Sequence, residues 1–481
     1  MDLRSFLRLG LSLLLCYTYC VALGQWRVHI LHPGSATESA AWGVNAGETV
    51  GYVRVNGVDR AVVWRGLTSE PDYLASEGSY ATKLRGSTAI GGGVYVNGEP
   101  HAALWPTSKS TWIDLAPPGA GFTLVAGVGG LLQAGRYGTQ AAVWQGSPAS
   151  MVVLAPKGST GSEALAPDGV YQVGSARFGG PADRAYLWQG SAESGIDLTS
   201  PNALSAVAAD VGGGIQVGWQ NFQTGKHAGM WRGSASSFVS LRPYPLGLSA
   251  ANAIDSNVQV GYWTDRDGTR RACLWRGIST SWEDLYAYLP EGTSISEAFD
   301  ICVSGSTIRI CGTAQINGVD KAVLWVSDNV IEVSPATFSV VQGAVFQGNT
   351  ASLAASDDEW LIVGSVQTAV GSAVTLQFEQ VAPQSDYSYM GIAVDGHANE
   401  SFNNIGNIYA FNFSKKTWDL IKSHPTGVFY DTPIHCEINN PSSYIEPVTR
   451  RMMARVKYEL TSTSTSWQGW FDRATWSFPS K

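Results

Sequence analysis

The segment Ala228-Gly229-Met230-Trp231 carries the pattern that decides the fold, because six other segments repeat its Ala three residues before a Trp. The other copies end in Trp64, Trp105, Trp144, Trp188, Trp275 and Trp325. Successive Trp residues lie 39 to 50 residues apart. A repeat period of about 20 to 50 residues is the mark of solenoids, propellers and repeat arrays. The chain therefore contains seven tandem copies of one structural unit.

Each copy predicts four short antiparallel strands. An apolar residue followed by Gly precedes the Trp segment, as in Val217-Gly218. Turn pairs such as Asn56-Gly57 and Asn317-Gly318 lie between the two segments, and these pairs tolerate the positive φ angles that tight hairpins need. A short strand such as Trp282-Glu283-Asp284-Leu285 follows the Trp, and a small-residue strand such as residues 249–254 opens the next unit.

Four strands in a unit of this length match one blade of a β-propeller, since blades run about 40 to 45 residues. Small first-strand residues suit a crowded central channel. We expect the repeated Trp to fill the wedge between neighbouring sheets rather than to stack on a ligand. A β-solenoid is the competing architecture, but its turns are normally shorter. The sequence thus predicts an all-β protein, with a seven-bladed β-propeller over residues 25–334 and a C-terminal β-sandwich domain over residues 335–481.

A count of fourth-strand segments predicts how the ring closes. Eight such segments accompany seven copies of the other strands, because residues 26–31 precede the first unit and residues 330–333 follow the last. Propellers avoid an exposed sheet edge when one terminus supplies a strand to the blade begun by the other. We therefore expect residues 26–31 to pair in the sheet of Trp325, with residues 330–333 displaced or leading out to the C-terminal domain.

The C-terminal third of the chain lacks the repeat. From about Phe338 onward, alternating polar and apolar stretches predict strands of a separate β-sandwich of about 140 residues. The clearest of these stretches are residues 374–378, 408–413, 454–458 and 474–476.

The N-terminus has the order of a secretory signal peptide. Arg4 and Arg8 precede an apolar run over residues 9–21, and Ala22-Leu23-Gly24 then favours cleavage before Gln25. The run is too short to span a membrane comfortably, since about 20 apolar residues are needed. We expect residues 1–24 to be removed and the protein to be secreted or held at the cell surface, with no membrane span in the mature chain.

Composition excludes some classes of partner and site. The net charge is −8, and the 31 Lys and Arg residues are scattered, so no basic patch for nucleic acid is present. The mature chain would keep Cys273, Cys302, Cys311 and Cys436, too few for a disulfide scaffold and without the spacing of a metal site. Cys302 and Cys311 flank a predicted turn, so we expect that a disulfide could join them in an oxidising compartment.

No catalytic constellation, metal site or cofactor site is legible. The sequence lacks a Gly-x-Ser-x-Gly elbow, a P-loop and an HExxH motif. His435 beside Cys436 is more simply a loop position than a metal ligand. The acidic pair in Asp265-Arg266-Asp267-Gly268 fits a hairpin tip better than a calcium loop. Five acids lie near the predicted channel, where a glycosidase would hold its carboxylates, although such acids more often bond the local backbone. They are Glu163, Asp210, Asp255, Glu297 and Asp300.

Two resemblances accompany this interpretation. The core His101-Ala102-Ala103 and its counterpart at His227-Ala228-Gly229 resemble the bacterial extracellular HAF repeats, with Arg or Lys at the His position in other copies. The stretches at residues 338–343 and 353–358 are similar to a C-terminal module of secreted bacterial proteins. The first resemblance implies export and a propeller-like domain, with no activity to transfer.

The function expected from the sequence is that of an exported, non-enzymatic recognition or surface-structural protein. Its partner would be a carbohydrate or an extracellular protein bound by loops or at the channel mouth. The alternative is a carbohydrate-active propeller enzyme, either a glycoside hydrolase or a lyase. That alternative requires Asp210, Asp255 and Glu297 to converge on one solvent-filled pocket.

Overall fold

The computed structural model describes residues 26–75, 78–84, 89–106, 111–243, 247–305, 307–327, 330–353, 360–368, 371–384, 387, 389–398, 404–425, 434–460 and 466–479. The expected signal peptide and most of the stretch 353–358 lie outside these residues. Within them the chain is all-β and propeller-like, with single 3₁₀ turns in the connections. The 3₁₀ turns are Pro148–Ser150, Ala192–Ser194, Ala235–Ser237, Ser279–Ser281, Leu285–Tyr288, Thr350–Leu353 and Pro441–Tyr444.

The repeats in the described residues form seven four-stranded antiparallel sheets, numbered 1 to 7 along the chain. Sheet 1 comprises Glu38–Val44, Glu48–Val55, Val58–Arg65 and Asp72–Tyr73. Sheet 2 comprises Ser79–Leu84, Ile90–Val96, Glu99–Trp105 and Ile113–Asp114. Sheet 3 comprises Thr123–Gly129, Leu132–Tyr137, Gln140–Trp144 and Val152–Val153. Sheet 4 comprises Gly161–Asp168, Tyr171–Arg177, Arg184–Trp188 and Ile196–Asp197. Sheet 5 comprises Ser205–Gly212, Ile215–Phe222, Gly225–Trp231 and Val239–Ser240. Sheet 6 comprises Ser249–Asp255, Val258–Thr264, Arg270–Trp275 and Glu283–Asp284. Sheet 7 comprises Thr293–Ser304, Thr307–Ile316, Val319–Ser327 and Trp26–Ile30.

The strand at the N-terminus completes the last sheet. Trp26–Ile30 pairs antiparallel with Val319–Ser327, and Val28 lies opposite Trp325. The predicted pairing of residues 26–31 with the strand of Trp325 is therefore confirmed. Trp26 is only 2% exposed, and its Nε1 donates to Glu283 of sheet 6 at 2.7 Å. The strand at the N-terminal end of the repeat region therefore belongs to the same sheet as the last repeat.

The repeated Trp side chains fill the joints between sheets. All seven are 0 to 1% exposed, and each lies in a buried cluster with residues of the preceding sheet. Trp105 of sheet 2, for example, packs with Val50 and Ala61 of sheet 1. Trp64 of sheet 1 packs with Leu324 of sheet 7, so the series of joints closes on itself. The structural interpretation of these seven residues is confirmed.

A buried hydroxyl accompanies each of these joints. The N–H of the repeated Ala donates to a Ser or Thr at 2.9 to 3.0 Å, and in six of the seven joints this residue lies on the next sheet. Ala322 donates to Ser39, which joins sheet 7 to sheet 1. Sheet 5 has Ala206 where the other first strands have Ser or Thr, and Thr199 from the preceding loop accepts the bond instead. The repeated Ala is 0% exposed in all seven copies, so a larger side chain would not fit at the joint.

A β-bulge interrupts every first strand at the same place. In sheet 5 the register shifts between Ala208 and Asp210, so Ala209 is the extra residue. Gly218 lies opposite, and a Cβ there would come 2.0 Å from the Val207 carbonyl oxygen. The Gly that follows the apolar residue in each repeat is therefore explained by close approach of the first strand.

The C-terminal residues form two six-stranded antiparallel sheets, numbered 8 and 9, that share one buried core. Sheet 8 runs Ala344–Gln347, Leu361–Gly364, Gln468–Pro479, Tyr389–Ala398 and Ile434–Asn439, with Val330–Val333 also on Gln468–Pro479. Sheet 9 runs Thr337–Gln342, Gly371–Val381, Arg451–Leu460, Asn404–Asn412 and Thr417–Pro425, with Val366–Thr368 also on Gly371–Val381. Residues 330–333 therefore lead out of the ring into the C-terminal sheets, as expected. Among the described residues, no helix is both long and apolar enough to cross a membrane.

Candidate functional site

One end of the ring concentrates aromatic and charged side chains. We call it the entry end, because there the first strand of each sheet begins and the second strand ends. On the second strands, the residue opposite the repeated Ala is Tyr52, Arg136, Trp219 or Tyr262 in sheets 1, 3, 5 and 6. This position therefore gives the entry end a side chain that changes from sheet to sheet.

A cleft of about 330 Å³ opens at this end between sheets 3 and 4. Gly161, Gly180 and Pro181 line this cleft, and their small side chains leave its space open. A cavity of this size is at the small end of ligand sites. The lining residues are Arg136, Thr139, Thr160, Gly161, Ser162, Glu163, Ser175, Arg177, Gly180, Pro181 and Asp183.

The two guanidinium groups of the cleft differ in their bonding. Arg177 holds Asp183 through Nε at 2.6 Å and Nη2 at 3.4 Å. Arg136 lies over the Phe122 ring at 5.1 Å, and its buried Nε has no hydrogen-bond partner among the described residues. Arg177 is thus held in an ion pair with Asp183, whereas Arg136 forms no ion pair among the described residues, although it lines the cleft. Arg136 is therefore the group in the cleft that is available to a ligand.

Glu163 supplies the complementary acceptor. Burial raises the pKa of the Glu163 carboxyl, and the nearby Asp183 raises it further, while the charges of Arg136 and Arg177 oppose the shift. A guanidinium and a carboxyl in one cleft can bind a hydroxyl as acceptor and as donor at the same time. The cleft is thus suited to a small ligand rich in hydroxyl groups.

Three of the other predicted acids bond to backbone N–H groups of a neighbouring sheet. Asp210 accepts from Ile254 at 3.0 Å, Asp255 from Val303 at 2.7 Å and Asp300 from Val44 at 3.0 Å. Asp168, which was not singled out, accepts from Gly213 in the same way at 2.9 Å. These carboxylates therefore connect consecutive sheets.

The Lys83 and Glu297 side chains are also paired. Lys83 of sheet 2 binds Asp300 of sheet 7 at 2.7 Å and passes Gly43, where a Cβ would lie 2.9 Å from the Lys83 Cα. Glu297 forms an ion pair with Arg270 and accepts from Asn252 at 2.9 Å. Of the five predicted acids, Glu163 is the one that lines the cleft, and the structure does not bring it together with the other four.

The weaker metal candidates occupy ordinary structural positions. The Asp265 Oδ1 atom accepts from the N–H groups of Asp267 and Thr269 within its own turn. Cys436 is buried and donates to the Ile392 carbonyl, and burial raises its pKa to about 12. The His435 side chain lies outside the described atoms. In the described part of the chain, no three His, Cys, Asp or Glu side chains cluster as a metal site would require.

The disulfide that the sequence allows between Cys302 and Cys311 is not present in the structure, where both cysteines carry thiols. Cys302 pairs with Arg309, and Cys311 pairs with Asp300. The hairpin turn joins Ser304 to Thr307, so Cys302 lies two residues from the turn and Cys311 lies four. The two residues are therefore diagonal across the ladder rather than opposite each other.

Sequence reasoning missed Arg136, Arg177 and Asp183. The position opposite the repeated Ala changes from Tyr to Arg to Trp between copies, whereas the Ala, Gly and Trp around it stay constant. A position that varies inside a constant repeat does not serve the common packing, so this contrast was the available signal for Arg136.

Comparison with known proteins gives no assignment: no protein-family model matches the chain, and no curated protein is similar to it. Among solved structures, TolB from Acinetobacter baumannii shares 11% identity over 63% of this chain and 80% of its own, with a TM-score of 0.35. Trypanosoma rangeli sialidase shares 9% identity over 94% of this chain and 92% of its own, with a TM-score of 0.33. The CBM22-1–GH10 modules of Clostridium thermocellum xylanase 10B share 9% identity, over 32% of this chain and 27% of that chain, with a TM-score of 0.21. At such TM-scores the neighbours carry no inference about activity.

Proposed function

We propose that the seven repeat sheets are the blades of a seven-bladed β-propeller, and that sheets 8 and 9 are a C-terminal β-sandwich. The support is the cycle of joints described above, in which Trp64 packs on sheet 7 and Ser39 accepts from Ala322. The single core shared by sheets 8 and 9 supports the sandwich. Small-angle scattering that required an open arc of sheets would contradict the propeller.

We propose further that the protein is exported and that residues 1–24 are a signal peptide, as the basic, apolar and small-residue order at the N-terminus suggests. The likeness to extracellular HAF repeats supports the same placement. Mass spectrometry of secreted material is expected to find Gln25 as the first residue. Recovery of the chain with Met1 intact from the cytoplasm would contradict the proposal.

In that compartment the protein acts as a non-enzymatic recognition protein that binds carbohydrate at the cleft between sheets 3 and 4. The observation that supports this function is the Arg136 guanidinium, which forms no ion pair among the described residues and lines the same cleft as the Glu163 carboxyl. Together they offer a sugar one donor and one acceptor group. Binding of such a ligand requires no group on the protein to form or break a covalent bond.

The test is a glycan array probed with the mature protein and with two variants. Arg136→Ala removes the available guanidinium, so we expect binding of any positive glycan to fall at least about tenfold, the loss of roughly one charge-assisted hydrogen bond. Arg232→Ala is the matched control, because Arg232 is exposed on a loop of sheet 5. A positive glycan that both variants bind as well as the wild type does would place recognition elsewhere.

A second candidate is a carbohydrate-active enzyme centred on Glu163. The observation in its favour is the raised pKa of this carboxyl in a cleft that also holds Asp183, because general acids in glycoside cleavage need a raised pKa. The ion pair between Asp183 and Arg177 counts against a free second carboxylate. Release of reducing ends from a polysaccharide by the wild type but not by Glu163→Gln would favour the enzyme over the recognition protein.

A further inference from the structure

Sheets 5 and 6 repeat an aromatic ring covered by a cation. The Lys226 Nζ lies 4.0 Å from the Trp219 ring centre, and the Arg270 guanidinium lies 4.3 Å from that of Tyr262. Both cations stand two residues before the repeated Ala, on the third strands of neighbouring sheets. Equivalent positions in adjacent repeats bring the two positive charges close enough to interact at the entry end.

The charges of this group do not cancel. Arg270 forms an ion pair with Glu297, which also accepts from Asn252. Lys226 makes no hydrogen bond and no ion pair with another side chain among the described residues. Burial lowers the pKa of Lys226, and the charge of Arg270 lowers it further, while Glu297 partly offsets both effects. Two cations therefore share one carboxylate, and the amine of Lys226 is partly removed from water without an ion pair of its own.

A lysine can cover an aromatic ring simply by laying its stem across it and leaving its amine in water. That arrangement does not require a second cation nearby, and repulsion between like charges makes it less favourable here. An anion bound by both Lys226 and Arg270 would offset the repulsion and supply a second negative charge for the two cations. The half-buried Trp219 ring beside it offers a flat apolar surface to the carbon face of a sugar.

We propose that Lys226 and Arg270, with Trp219 beside them, bind a single oxyanion, a carboxylate or a sulfate, carried by an extracellular polysaccharide. The site lies on sheets 5 and 6, away from the cleft of sheets 3 and 4, and stands independently of the function proposed for that cleft. Its chemistry is the recognition of charge by two cations at fixed spacing, with the aromatic ring selecting for a sugar over a free ion.

The first test is titration of the lysines by NMR after reductive ¹³C-methylation of the mature protein, with the Lys226 signal assigned from Lys226→Arg. Sodium sulfate and sodium glucuronate are added at constant ionic strength against sodium chloride. We expect at least one of them to raise the titration midpoint of Lys226 by about one pH unit, a tenfold change in proton affinity, and to leave that of exposed Lys157 unchanged. Equal shifts at the two lysines, or no shift at either, would overturn the proposal.

The second test is affinity electrophoresis through gels containing dextran sulfate, polygalacturonate or uncharged dextran. We expect at least one charged polymer to retard the wild type, Lys226→Gln to weaken that retardation about tenfold, and Lys226→Arg and the control Lys157→Gln to retain it. Retardation by dextran sulfate alone identifies a sulfate ligand, and by polygalacturonate alone a carboxylate. Unchanged retardation of Lys226→Gln, equal retardation by uncharged dextran, or no retardation by either charged polymer would refute the site.

Discussion

Ser39→Ala is the substitution that best tests whether the ring is closed. Ser39 is 0% exposed, and its hydroxyl accepts from the Ala322 N–H at 2.9 Å across the joint between sheets 7 and 1. Removal of the hydroxyl leaves a buried N–H without an acceptor, which costs about 1–3 kcal/mol of unfolding free energy. The Ser39 hydroxyl also lies 2.8 Å from His32 Nδ1, so we expect a cost in the upper half of that range.

The matched control is Ser249→Ala, at a joint between consecutive sheets. Ser249 is equally buried and accepts from Ala228 at 3.0 Å, so the same loss is expected. Ser39→Thr should retain most of the stability, because Thr123 accepts the same bond in sheet 3. The assay is urea unfolding monitored by Trp fluorescence. The free energies of unfolding of the three variants are compared with one common m-value. A Ser39→Ala protein as stable as the wild type, beside a destabilised Ser249→Ala protein, would refute the closed ring.

Three further outcomes follow from the same contacts. Deletion of residues 25–33 removes the closing strand and buried Trp26, so calorimetry should show one ring transition at a lower temperature, whereas a ring Tm equal to that of the wild type would contradict closure. Burial lowers the pKa of His397 to about 4, so the folded state favours its neutral form. The contribution of this neutral form to the free energy of unfolding is fully present above pH 6.5, and it falls by up to roughly 3 kcal/mol as the pH drops toward 4. His397→Phe should lose this component in urea titrations between pH 7.5 and 4.5, and an identical pH dependence in the two proteins would contradict the assignment. Four titratable thiols are expected in the denatured, unreduced mature protein, and a count of two would show a bridge that the hairpin register disfavours.

The repeat architecture was predictable because its cause is local. The Ala and Trp of each copy meet the same joint, so selection for packing repeats them at a constant spacing. The closing strand was predictable for a different reason, since counting strand segments requires only that no sheet edge remain exposed. Neither step needed the register of any particular strand.

Register was the information that the sequence did not supply. A turn between Cys302 and Cys311 was correctly expected, but the unequal lengths of the two arms place Arg309 and not Cys311 opposite Cys302. The cleft depends on register in the same way, because pairing of Arg136 with Leu124 and of Glu163 with Ser175 sets which side chains lie at the entry end of sheets 3 and 4. Composition and spacing cannot fix such one-residue shifts.

The acids that first suggested catalysis are better explained by the edge that each first strand presents. A first strand has a sheet neighbour on one side only, so its outward N–H groups need another acceptor. Asp210, Asp255 and Asp300 provide that acceptor from the preceding sheet, and Asp168 does the same although it was not a candidate. A carboxylate that accepts a backbone N–H between sheets has a structural role that accounts for its place in the sequence. Of the five candidate acids, Glu163 is the one whose carboxyl lines the cleft, so the test for catalysis begins with that residue.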